Sequence, residues 1–188
     1  MKQTQAVPKI IIEKGLLFTV NAQKVAKVMQ KVGVTEQDIQ NTTILFETRK
    51  RFATNGMHWP AWFGKRFFFL KPKYGVVKGD VIRITVNKYF GTRSNLSLAK
   101  TIAHESVHAA QANRWSMLMW IGHGIILSST ILGVVFGYQL GPWPVVLAII
   151  GGLDGYAIGY QLAPHEHQAR TITVGLEDKE LEKCVANR

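Results

Sequence analysis

The sequence predicts an α+β chain with a two-helix transmembrane hairpin set into it, on three observations. Asp80-Val81-Ile82-Arg83-Ile84-Thr85-Val86 is β-branched and alternating, a strand placed shortly before a helix that starts near Ser97. Between Arg114 and Asp154 run 39 residues with no Lys, Arg, Asp or Glu. That stretch separates His104-Glu105-Ser106-Val107-His108 from a second His/Glu segment, His165-Glu166-His167. The implied division is a basic α+β region with an edge strand over 1–96, then a helix over 97–114. A hairpin over 115–163 and a short helix with a tail over 164–188 complete it.

The chain opens polar, from Met1 to Pro8, without the apolar core of a secretory signal, so no cleaved leader is expected. Val25, Val28, Met29 and Val32 recur at helical spacing between Asn21 and Gly33, which predicts a capped amphipathic helix. Thr35 to about Phe52 reads as a second helix. Arg66-Phe67-Phe68-Phe69-Leu70 reads as a strand, and the turn-rich Lys71-Pro72-Lys73-Tyr74-Gly75 and Lys78-Gly79 separate it from the strand at 80–86. There Val81, Arg83 and Thr85 alternate with Ile82, Ile84 and Val86, so one face should be buried. An edge strand at this place can hold an extended peptide by main-chain bonds. The aromatic His58-Trp59-Pro60-Ala61-Trp62-Phe63 suits core packing better than a lipid-contacting or substrate loop.

Charge is unevenly placed. Residues 1–114 hold 19 Lys/Arg against 6 Asp/Glu, whereas 165–188 hold 4 against 5. Arg49-Lys50-Arg51 invites a nucleic-acid reading, but no nucleic-acid motif accompanies it, and attraction to anionic lipid explains the same charge more simply. Nucleic acid is therefore disfavoured as a partner. The single cysteine, Cys184, excludes an internal disulfide and a Cys-based zinc site, and is expected to be an inert thiol of the tail.

The 97–114 segment carries the chemistry. Ser97 is the expected N-cap, and Leu98, Ala99, Ile102, Ala103 and Ala110 form an apolar helical stripe. Residues i and i+4 share a helix face, so His104 and His108 can aim imidazole nitrogens at one Zn²⁺. Glu105 then stands where it can take a proton from a water. A catalytic zinc needs three protein ligands and an open position. Glu166 is the first choice for the third ligand, with His165 and His167 as rivals on the same segment.

The uncharged stretch divides into apolar runs at 115–140 and 145–163, broken by Gly141-Pro142-Trp143-Pro144, which cannot continue a helix. At 1.5 Å per residue the runs span about 39 and 28 Å, against a hydrocarbon core of about 30 Å. Two membrane helices joined as a hairpin follow. Ser129, Gly133 and Gly137 in the first run, and Gly151, Gly155 and Gly159 in the second, make small-residue ridges. Such ridges suit close packing within the hairpin, with homo-oligomerisation as a second use. His123 and Asp154 fall at depths roughly 12 Å apart and should not pair. Asp154 near mid-bilayer costs about 2.5–3.5 kcal/mol if charged, so it is expected to be neutral, hydrated or met by another chain. Basic residues flank the hairpin and its turn has none, which places both termini in the cytoplasm. Trp115, Trp120 and Trp143 suit the interfaces.

The order HExxH, two membrane helices, then Glu166-His167-Gln168-Ala169 resembles the gluzincin membrane metallopeptidases, the class of the HtpX-type and CAAX prenyl proteases. The resemblance covers residues 97–170 and implies a zincin-like metallopeptidase core, with the hairpin inserted between the HExxH helix and the third-ligand helix. It implies zinc on His104, His108 and Glu166, Glu105 as general base, and a protein or peptide substrate cleaved at the cytoplasmic face. Two departures mark a minimal or divergent member. The family's Glu-x-x-Ala-Asp has Arg170 in place of the Asp, and Arg cannot accept a hydrogen bond from a zinc histidine. The family's amino-terminal pair of membrane helices is also missing. No oxyanion donor is identifiable, Tyr156 and Tyr160 being candidates in name only. The competing expectations are a non-enzymatic hairpin that oligomerises or recruits a partner, its His/Glu cluster structural or degenerate, and a soluble metalloprotease whose hairpin packs on another subunit.

Overall fold

The structure, a computed structural model, describes residues 6–49, 56–59, 79–87, 94–113, 117–139 and 143–187. The chain forms two units: Met1–Asn113 with Ile172–Arg188, and Arg114–Thr171. Its architecture is mixed α and β with two helices of membrane-spanning length and composition. The expected strand at 66–70, the turn residues 71–75 and 141–142, and residues 60–63 lie outside the described residues.

The first unit is built on a four-stranded sheet of β1 (Lys9–Ile12), β3 (Thr42–Arg49), β4 (Gly56–Trp59) and β5 (Asp80–Asn87). The order is β1-β3-β5-β4; β1, β3 and β5 run parallel, and β4 is antiparallel to β5. A second, two-stranded sheet joins β2 (Phe18–Val20) to β6 (Val185–Asn187), so the last described residues belong to this unit.

Helix α1 (Ala22–Lys31) matches its sequence pattern. The Asn21 side chain accepts from the Lys24 amide, and Val25, Ala26, Val28 and Met29 are buried. Gly33 follows in a left-handed conformation, φ 95°, which glycine adopts without steric cost. The expected second helix is corrected. Only α2 (Glu36–Gln40) is helical, capped by Thr35, and Thr42–Arg49 is a strand. The β-branched and aromatic run Thr42-Thr43-Ile44-Leu45-Phe46 gains a ladder partner on each side, which outweighs the weak helical pattern of 35–52.

β5 is also not an edge strand, because β3 and β4 flank it; among the described strands the edges fall to β1 and β4. Its central place explains why Val81 and Thr85 are buried along with Ile82, Ile84 and Val86. On one face Ile44, Phe46, Ile82 and Ile84 are fully buried. On the other, Arg83 forms a largely buried ion pair with Glu47.

The second unit is a helical hairpin of α4 (Met117–Gln139) and α5 (Pro144–Leu162), with Pro144 opening α5 where no amide donor is needed. The helices are antiparallel and pack backbone to backbone through the small residues. A Cβ added at Gly133 would lie 1.9 Å from the Gly151 carbonyl oxygen, and one at Gly155 would lie 2.1 Å from that of Ser129. Outward faces are apolar and bare: Leu127, Phe136, Leu153 and Leu162 are 62%, 61%, 65% and 64% exposed.

Candidate metal centre

Helix α3 (Asn95–Asn113) carries the HExxH residues in the first unit. Its start is fixed by Ser94 and not by Ser97: the Ser97 amide donates to the Ser94 hydroxyl at 3.1 Å, and the Leu98 amide to the Ser94 carbonyl at 3.0 Å. Ser97 lies one turn inside, at the position that donates to a cap. Leu98, Ala99, Ile102, Ala103, Val107 and Ala109 are buried, so the helix is held along its length with little freedom to rotate.

This fixes the histidines. The His104 and His108 rings meet edge to face with centroids 4.8 Å apart, and their Nε2 atoms lie 3.2 Å from each other. His108 is 7% exposed, and its Nδ1 lies 2.8 Å from Oε1 of Gln111. An amide oxygen only accepts, so Nδ1–H donates and the Nε2 lone pair is left facing His104. Gln111 thus orients the His108 ring. The signal was present as a Gln three residues after a His on one helix face.

Glu105 is 7% exposed and lies against β4. A Cβ at Gly56 would fall 2.6 Å from Glu105 Oε1 and 2.6 Å from Thr101 Cγ2, so the carboxylate occupies space that only glycine leaves open. An isolated glycine gives no sequence signal for this role. Among the described strands β4 is the last of the sheet, and the carboxylate stands beside it.

In the second unit, Glu166 lies in the first turn of α6 (Pro164–Val174), where the helix dipole favours a carboxylate, and is 6% exposed. Its two rivals are placed differently. His165 is 3% exposed, stacks on His123 at 4.9 Å between centroids, and has Nδ1 seated where a Cβ at Gly122 would lie 1.9 Å away. His167 is exposed. Arg170 donates to Gln161 Oε1 at 2.6 Å and sits 5.2 Å over the Tyr160 ring, and Tyr160 stacks with Tyr156 at 6.2 Å. Arg170 and the two tyrosines therefore engage one another and the hairpin.

No protein-family model matches the chain, and no curated protein or solved structure is similar enough to it to count as a match.

Proposed function

We propose that the protein is a zinc-dependent, membrane-anchored endopeptidase of zincin-like construction, acting at the cytoplasmic face. The observation that carries the reading is the His104/His108 pair, two imidazoles on one helix face, His104 half-buried and His108 buried, with the tautomer of His108 set by Gln111. In this reading His104, His108 and Glu166 supply the three donors that would hold one metal ion. Two imidazoles and a carboxylate suit Zn²⁺. A mixed sheet with an antiparallel edge strand beside the helix supports the zincin likeness.

Bound there, the ion would act as a Lewis acid on a scissile carbonyl and lower the pKa of a water to about 7. The protein's own groups do the rest. Glu105 accepts the water's proton and returns it to the leaving amine. Gly56 keeps the carboxylate beside the edge strand, along which an extended peptide can lie. Two helices long and apolar enough to cross a membrane support anchoring, and the basic flank of α3 supports a cytoplasmic orientation of both ends.

The test is the zinc content and peptidase activity of protein purified in detergent without chelators. We expect one zinc per chain, lost in His104→Ala and Glu166→Ala. Glu105→Gln should keep zinc and lose cleavage by about 10²–10⁴-fold. Undiminished cleavage by the zinc-loaded Glu105→Gln variant would sink the mechanism. Zinc retained in Glu166→Ala alone would move the third ligand elsewhere.

A further inference from the structure

The α4–α5 hairpin holds a feature that the peptidase reading does not use. Asp154 lies ten residues after Pro144 and eight before Leu162 in α5. At 1.5 Å per residue it is about 15 and 12 Å from the two ends, too deep for its short side chain to reach either interface. It opens onto a lateral groove of about 450 Å³ whose walls include Leu132, Phe136, Ile150 and Ile158.

Among the described residues of the hairpin, nothing answers it. No Lys or Arg lies between Arg114 and Arg170. Thr130, which lies level with Asp154 in the hairpin register, donates its hydroxyl to the Ile126 carbonyl at 2.7 Å. Among the described residues no group bonds to the Asp154 carboxyl. Carboxyl groups facing lipid at mid-depth are costly and are met by a partner or by water.

We propose that this groove docks a transmembrane helix of another protein carrying a lysine or arginine at mid-span. Charge complementarity selects this occupant. A second copy of the chain would bring Asp154 against Asp154, and its small residues are already spent on packing α4 against α5. Apolar walls suit the body of such a helix, and the carboxyl at their centre suits one basic side chain that would otherwise face lipid itself. The proposal does not depend on the metal centre.

The test uses the full-length protein, labelled with a fluorescent donor at its N-terminus, in phosphatidylcholine vesicles. Acceptor-labelled synthetic Leu/Ala helices of about 20 residues carry a central Lys, Leu or Glu. We expect the Lys helix to bind at least about tenfold more tightly than the Leu helix. Asp154→Leu should erase that difference, and Asp154→Asn, closest in shape, should lose most of it. Asp154→Lys should reverse the preference toward the Glu helix. Equal binding of the Lys and Leu helices, or a preference unchanged in Asp154→Leu, would overturn the proposal. So would Asp154-dependent association between donor- and acceptor-labelled copies of the protein, which would give the groove to a second copy. Should Asp154→Leu fail to insert, the Asp154→Asn and Asp154→Lys series decides alone.

Discussion

Gln111 and Gly56 act on the two groups that the proposed chemistry needs held still. An imidazole that binds metal must present a lone pair, and the ring's other nitrogen needs an acceptor to keep the proton there. Gln111 Oε1 is that acceptor for His108. Gln111→Ala is therefore expected to weaken zinc binding by about 10–100-fold, read by competition with a chromogenic chelator, while Gln111→Glu keeps it. Gly56 works by absence. Gly56→Ala puts a methyl group where the Glu105 carboxylate lies, so that carboxylate must shift. Zinc content should stay at the wild-type level while kcat falls and KM moves little. A fall in zinc content instead would show that the change disturbs α3 as a whole.

At the scale of elements, the motif helix and α1 were legible because periodicity and polar caps act locally. The i, i+4 histidines and the Asn21 cap need only their own turns. What was misread depended on partners distant in sequence. Thr42–Arg49 is a strand because β1 and β5 flank it, and nothing inside the segment announces them. The Ser94 cap was missed because Ser97 offered the same chemistry one turn later. Cys184 was placed in an inert tail, yet it sits in the short 3-10 turn Glu182–Cys184 that leads into β6 and is 2% exposed. Its burial pushes the thiol from an ordinary 9.0 up to about 11, the nearby Lys24 opposing only in part. An acid whose pKa is raised on folding stabilises fully below its unfolded pKa, and that contribution is lost as pH rises through the folded value. The first unit should thus lose stability between pH 9 and about 11, with Cys184→Ala showing a shallower decline in thermal midpoint over that window. A native thiol alkylated as fast as a free one near neutral pH would contradict this burial.

On the scale of the whole molecule, solvent preference divides the two units. A large apolar side chain left in water forgoes about 1.5–3 kcal/mol relative to burial. The membrane-length windows of α4 and α5 are only 11% and 17% buried within the protein, which leaves an apolar surface for a bilayer or another subunit to cover. The expected outcome is retention in the pellet after an alkaline carbonate wash; release into the supernatant would place the hairpin against another soluble subunit. The proposed attraction of the first unit's basic residues to anionic lipid should fade with salt while the hairpin's retention does not. One further consequence lies in the pairing of β2 with β6, whose Thr19 and Ala186 bond across 167 positions of sequence. A ribosome emits the first of these strands early and the second only after the entire hairpin has been synthesised. The chain therefore cannot finish its first unit during early translation. A catalyst housed on α3 would stay immature on the ribosome, and the order of synthesis itself would delay its activity until delivery.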